Sequence, residues 1–346
     1  MTMPTAKDYF ETLTTNARAE HNAWWLTSER TGSEESRKAK LRATLQFFGT
    51  EDKLDALTTA MESAPERTSL SDGLQGLVDQ MTSDLVEYVR PEELQLFNQT
   101  HFGILPLSSV DGFCIDRTLQ GKPIDGYLVI LNEGLYVCAQ LLAKAFVLEN
   151  LGGDLIDYQR TGRHDFDVAI HHYLEPSGKN ANRVFFERVP PDIEGQLSAA
   201  QSSMAILILE FVSLHEFGHI THRDFDLMGT YRFHIGQTAA VPNGATERYW
   251  IAEHLADEYS MGAICRHSKS DVSRWANFLA VYVFFGWLAR VERLTGRPLC
   301  PLHPSPASRG TRLLAWMHDS YPASDQILNY IEKTEEIMAS WSQAQI

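Results

Sequence analysis

The chain has 346 residues, 44% of them apolar, enough for one large domain or two smaller ones with real cores. Lys and Arg number 30 against 45 Asp and Glu, a formal net charge of −15, so a phosphate-wrapping role is excluded and no nucleic-acid partner is expected. The four cysteines, Cys114, Cys138, Cys265 and Cys300, form no CxxC pair and lie in or beside apolar stretches, as buried free thiols do in a reducing, cytoplasmic compartment.

The start, "MTMPTAKDYFETL", has no basic stretch followed by an apolar run, so no secretory signal is expected. Residues 1–100 read as a helical N-terminal region. "SEESRKAKLRATLQFF", from Ser33, places serine and acids before bases, the order a helix prefers. "SLSDGLQGLVDQMTSDLVEYV", from Ser69, repeats apolar residues at three- and four-residue spacing. Trp24 and Trp25 are expected to pack in a core. No motif assigns a role to residues 1–190.

Residues 101–346 read as the functional domain, with a strand-containing part at 101–190 and metal-binding helices at 191–346. "GYLVILNEGLYVCAQLLAKAFVLE" reads as a strand, Tyr127 to Leu131, feeding a helix with Asn132 as N-cap. "FDVAIHHYL" and "RVFFERV" are rich in β-branched and aromatic residues and read as strands, with "EPSGKNAN" as the turn between them. His171 and His172 would then point to opposite faces and are taken as structural. Pro190 and Pro191 mark a break before a long helix.

That helix carries the first chemical signal. "MAILILEFVSL" leads into "LHEFGHITHRD", in which His215 and His219 are four residues apart and share a helix face. Both can reach one ion. Glu216 lies about 100° around the helix. From there it is badly placed as a ligand and well placed to take a proton from a water activated by the metal. Gly218 weakens the helix but allows a close neighbour. A catalytic zinc needs a third protein ligand. A histidine ten residues after His215 would supply one, but Phe225 stands there, and His222 is too close to His219.

A second helix supplies the alternative. "TERYWIAEHLADEYSMGAICR" starts at Thr246, a plausible N-cap, and places Glu253 and Asp257 four residues apart. Glu253 can bind the metal while Asp257 accepts a hydrogen bond from a ligating imidazole, fixing its tautomer. Glu247 and Glu258 have no acid four residues on, so they are weaker choices. Ala256, Ser260 and Ala263 would allow this helix to pack closely on the first. Further on, "WANFLAVYVFFGWLARV" contains Asn277 and Arg290 and, like "MAILILEFVSL", reads as a core helix with no stable membrane insertion. In "LHPSPASRG", Ser305 and Pro306 form a good N-cap and first-turn pair, leaving His303 on the loop before a helix.

"HEFGH" followed by "EHLAD" resembles the HExxH…ExxAD signature of gluzincin metallopeptidases, most closely the HtpX and CAAX-prenyl-protease group. In that group a His-Pro motif with an arginine six residues on lies beside the zinc, and His303, Pro304 and Arg309 have that spacing. The resemblance implies that His303 donates to the oxyanion and that Arg309 braces the site. It covers about 211–320, and it departs from the group in lacking clear transmembrane helices. The chain also resembles soluble bacterial metallopeptidases of the phage-exclusion type. The implied fold is α+β and mainly helical, a zincin-like core with a small sheet and an active-site helix. The expected function is a zinc-dependent endopeptidase acting on a protein or peptide, with Zn2+ on His215, His219 and Glu253 and with Glu216 as general base. The alternatives are a regulatory, partner-binding module with a structural zinc, or a metal-dependent amidase.

Overall fold

The uninterrupted apolar run from Tyr127 becomes the central strand of a small sheet, and the long apolar helix from Glu194 becomes the helix on which the candidate site is built. The computed structural model describes residues 3–20, 70–151 except 108, 116, 117, 120 and 121, then 166, 169, 170, 194–224, 246–296, 298, 299 and 303–343. In chain order these form α1 (Ala6–Glu20), α2 (Leu70–Leu85), a 3₁₀ turn (Pro91–Glu93), α3 (Leu94–Asn98), β1 (Thr100–Leu105), β2 (Gly112–Ile115), β3 (Thr118–Leu119), β4 (Lys122–Pro123) and β5 (Tyr127–Asn132). Six longer helices follow in the described chain: α4 (Glu133–Leu151), α5 (Glu194–Thr221), α6 (Thr246–His267), α7 (Asp271–Thr295), α8 (Pro306–Ser320) and α9 (Asp325–Gln343). The fold is α+β and mainly helical.

The larger sheet has the order β1-β5-β2. β5 runs parallel to β1, with Thr100 opposite Tyr127, and antiparallel to β2, with Gly112 opposite Leu131. Both faces are covered. Ala6 and Phe10 of α1 pack with Leu105, Ile115, Leu128 and Ile130 on one side. Ile104, Cys114, Val129 and Leu131 face the large core that contains α2, α4 and α5. Burial on both faces explains why β5 reads as a continuous apolar run with no alternation. β3 and β4 pair as a separate two-stranded ribbon.

Three sequence expectations are met. α5 spans 28 residues through the His pair. The helix expected in "TERYWIAEHLADEYSMGAICR" is α6, with Thr246 as its first helical residue. Ser305 caps α8, its hydroxyl accepting from the Ser308 N–H at 3.2 Å with Pro306 in the first turn. Two expectations are corrected. Asn132 precedes α4 but its side-chain oxygen accepts no hydrogen bond; the amide instead donates to the Ser109 hydroxyl at 2.8 Å. Phe166, Ala169 and Ile170 of "FDVAIHHYL" are helical, not extended. All three are buried at i, i+3, i+4 spacing, so a helix puts them on one core-facing stripe. The readings of "SEESRKAKLRATLQFF", Trp24 and Trp25, His171 and His172, "EPSGKNAN", "RVFFERV" and Pro190–Pro191 lie outside the described residues.

Among the described residues two helical segments are long and apolar enough to span a membrane by length and hydropathy, Ala199–Thr221 and Asp271–Thr295. The first is 89% buried inside the protein, as a core helix is, and the second 44%. Cys114, Cys138 and Cys265 are buried free thiols.

Candidate metal centre

The last two turns of α5 present His215 and His219 to α6. The two helices cross closely because Gly218 faces Ala256: a methyl built on Gly218 would stand 3.2 Å from the Ala256 Cα. One turn away, the Ser260 hydroxyl donates to the Phe211 carbonyl at 2.7 Å, tying α6 to α5. This contact carries Glu253 to the histidines. Its Oε2 lies 3.4 Å from His215 Nε2 and its Oε1 3.3 Å from His219 Nε2, and the two Nε2 atoms are 3.2 Å apart. All three residues are buried, Glu253 to 1% exposure.

The other nitrogen of each imidazole is also held. His215 Nδ1 is 3.0 Å from Asp257 Oδ1. Arg309, from the first turns of α8, donates to both Asp257 oxygens at 2.6 and 2.8 Å and reaches Glu253 Oε2 at 3.2 Å. Its guanidinium lies 4.9 Å from the centre of the Phe285 ring. His303, on the loop before α8, places Nε2 3.4 Å from Glu253 Oε1. His219 Nδ1 is 2.8 Å from Asp224 Oδ2, a buried carboxylate just past the end of α5.

Glu253 tests whether these residues suit a metal ion. Four nitrogens stand within 3.4 Å of its carboxylate oxygens, but none of them gives either oxygen a well-aligned hydrogen bond. A buried carboxylate held only by such long, poorly aligned contacts is expensive, which makes its convergence on the two imidazoles hard to explain by packing alone. The ligating atoms of His215, His219 and Glu253 all lie within 4.8 Å of one another. A buried His215–His219–Glu253 group can thus hold a metal ion. Two imidazoles and one carboxylate form a borderline donor set of the kind that suits zinc.

Known families, characterised proteins and solved structures return no match to this chain.

Charge organises the same group. Burial alone would lower the proton affinity of His219, but its hydrogen bond with Asp224 and the neighbouring Glu253 overturn this and lift its pKa to about 10. His215 is raised too, its burial outweighed by Asp257 and Glu253. His303 moves the other way, pushed down to about 4 mainly by burial. It is therefore neutral at pH 7, which leaves Arg309 and, while no metal is bound, the protonated His219 as the cations beside Glu253. Against burial, the surrounding positive groups hold Glu253 well below the usual carboxylate range. Asp257 is likewise held low, chiefly by Arg309.

Glu216 lies on a different side of α5. It is 6% exposed, and its Oε2 accepts no hydrogen bond. β2 runs against this side, with Gly112 packed on Val212, one turn before Glu216. The Cys114 thiol, two residues along β2, is pushed well above its ordinary range by burial and by the Glu216 carboxylate. A cavity of about 80 Å³ joins Glu216 to His215, His219, Glu253, His303 and Arg309, with Phe211, Leu135 and Leu288 among its apolar walls. A larger cleft of about 670 Å³ lies elsewhere, beside the C-terminal end of α5, and touches none of the three candidate ligands.

The residues singled out by sequence, His215, Glu216, His219, Glu253, Asp257, His303 and Arg309, all meet in this one cluster. Glu258 turns away and pairs with Arg312 at 3.0 Å. His222 lines the larger cleft. Asp224 is the member that sequence reasoning missed. Its signal was available: if one imidazole needs a carboxylate behind it, so does the other, and an acid follows closely in "HITHRD".

Proposed function

We propose that the protein is a zinc-dependent endopeptidase, a gluzincin-like hydrolase that uses His215, His219 and Glu253 as metal ligands and Glu216 as general base. One observation carries the reading: three buried potential ligands converge on a cavity that buried Glu216 also lines, with its Oε2 left without a hydrogen bond. A bound zinc supplies Lewis-acid polarisation and brings the pKa of water down to about 7. Glu216 takes the proton of the attacking water and delivers it to the leaving amine. His303, neutral at pH 7, still carries one N–H and donates it to the oxygen on which negative charge develops. Arg309 holds Asp257 and Glu253 in place by its three contacts. Among the described residues β2 is an edge strand, so an extended peptide could pair along it next to Glu216.

The test is metal analysis of the wild type beside Glu216→Gln, with proteome-wide cleavage profiling of both. One zinc per chain is expected in each, with cleavage only in the wild type. Absence of zinc from the wild type, or equal cleavage by the variant, would end the proposal.

A further inference from the structure

α5 ends in an unusual way. The His222 N–H still returns to the Gly218 carbonyl at 2.9 Å, and the Arg223 N–H returns to Ile220 at 3.2 Å, as in a left-handed helix cap. Arg223 has φ +57°, and among the described residues no other non-glycine has a positive φ. A side chain makes this region costly, and glycine or asparagine normally fills it. The Arg223 side chain is exposed, and among the described residues it makes no hydrogen bond or ion pair that demands the turn. The next residue does. If α5 continued as a helix, residue 224 would sit about 140° around the axis from His219. Instead the turn folds Asp224 back until its Oδ2 is 2.8 Å from His219 Nδ1, at 3% exposure.

We propose that the Arg223–Asp224 turn is a positioning device for the metal: the left-handed backbone at Arg223 delivers Asp224 to His219 and so fixes that imidazole as a ligand. The proposal rests on the metal reading above. By accepting the Nδ1 proton, Asp224 leaves the Nε2 lone pair for the ion and locks the ring's rotation. The two imidazoles are held by different means. His215 is held from α6 by Asp257, whose charge Arg309 shares at two points. His219 is held from the end of its own helix, by a carboxylate that makes no ion pair with Lys or Arg among the described residues. Its Nδ1 edge is therefore held without any help from α6, which meets the ring only at Nε2 through Glu253. Asp224 touches no substrate or metal and acts only through His219.

Zinc affinity, measured by competition with a chromogenic chelator, tests this without any substrate. Asp224→Ala should bind zinc about 10- to 100-fold more weakly, the usual loss when the group behind a ligating histidine is removed. Arg223→Val should lose a similar factor although Asp224 is intact, because a β-branched side chain resists the left-handed region. Arg223→Gly adopts that region freely and should stay within about 3-fold of wild type, although it lacks the charge. An Arg223→Val protein that binds like wild type, or an Arg223→Gly protein that falls as far as valine, overturns the proposal. If circular dichroism finds Arg223→Val unfolded, Asp224→Asn decides: a loss of about 10-fold supports the device, and undiminished affinity overturns it. A wild type that takes up no zinc removes the metal reading and this device together. A wild type that binds zinc without the predicted ranking removes the device alone.

Discussion

Glu253 is 1% exposed and ionised, a state that no fold adopts without strong compensation. Arg309 and the imidazoles provide it through contacts of 3.2–3.4 Å that give neither oxygen a well-aligned hydrogen bond, which leaves lone pairs available to an ion. Glu253→Ala should therefore lower zinc affinity by more than the roughly 100-fold that loss of a carboxylate behind a ligand can cost. Glu258→Ala should leave it almost unchanged, since that side chain points to Arg312. Equal losses in a zinc titration would mean that the ligand has been misidentified. Glu253 was legible in sequence because helical geometry fixes what four-residue spacing does: His215 with His219, and Glu253 with Asp257, must each share a face. His303 and Arg309 were legible only through the family resemblance, because the folding of the chain between α6 and α8 brings them in. Asp224 had only a chemical signal, the need of a second imidazole for a carboxylate; its approach depends on a left-handed residue, and nothing about an arginine announces one.

The α5–α6 crossing is the element that turns two helical patterns into one cluster. Replacing a helical glycine with alanine ordinarily gains about 1 kcal/mol. At Gly218 the new methyl would meet the Ala256 Cα at 3.2 Å and the Tyr259 ring at 3.3 Å, tighter than ordinary packing. Overpacking costs about 1–3 kcal/mol, so the net effect of Gly218→Ala should be destabilising. Zinc affinity should fall with it, because separating the helices draws Glu253 away. Gly262→Ala is the control on α6, where the nearest atoms stand 3.5 Å or more away and the ordinary gain should appear. Equal stabilisation of both variants in urea would show that the crossing tolerates the methyl. The small residues of this crossing were readable as a close-packing face. The helix at Phe166 was not, because its β-branched and aromatic content imitates a strand. The tilted packing of Phe166 on Trp341, ring centres 4.2 Å apart, is a tertiary contact that local composition cannot reveal.

At the scale of the whole molecule, an apolar core helix has to accommodate an acid. Glu210 sits in the middle of α5 at 8% exposure, and burial together with the nearby Asp84 lifts its pKa from 4.5 to about 7. The Tyr88 phenol on the same side is itself pushed above its ordinary range by burial and by Glu210. The direction of the effect on stability follows from proton counting. Between about pH 4.5 and pH 7 the folded chain keeps a proton at Glu210 that the unfolded chain has released, so stability falls as pH rises through this window and levels off above it. Each pKa unit is worth about 1.4 kcal/mol, which puts the full penalty at roughly 3 kcal/mol as an upper bound. Asp111, raised to about 7 by burial and by Glu216, adds a slope of the same sign. Glu210→Gln removes the titration and keeps the shape. With a chelator present to exclude metal linkage, the variant should match the wild type within about 1 kcal/mol at pH 4.5, where the wild-type acid is neutral when folded. It should be more stable by roughly 2–3 kcal/mol at pH 8, where the wild type must bury a charge or hold a costly proton. Urea unfolding at both pH values measures the difference. A variant less stable than the wild type at pH 8 would mean that Glu210 is ionised and usefully paired inside the fold, reversing its place in the core.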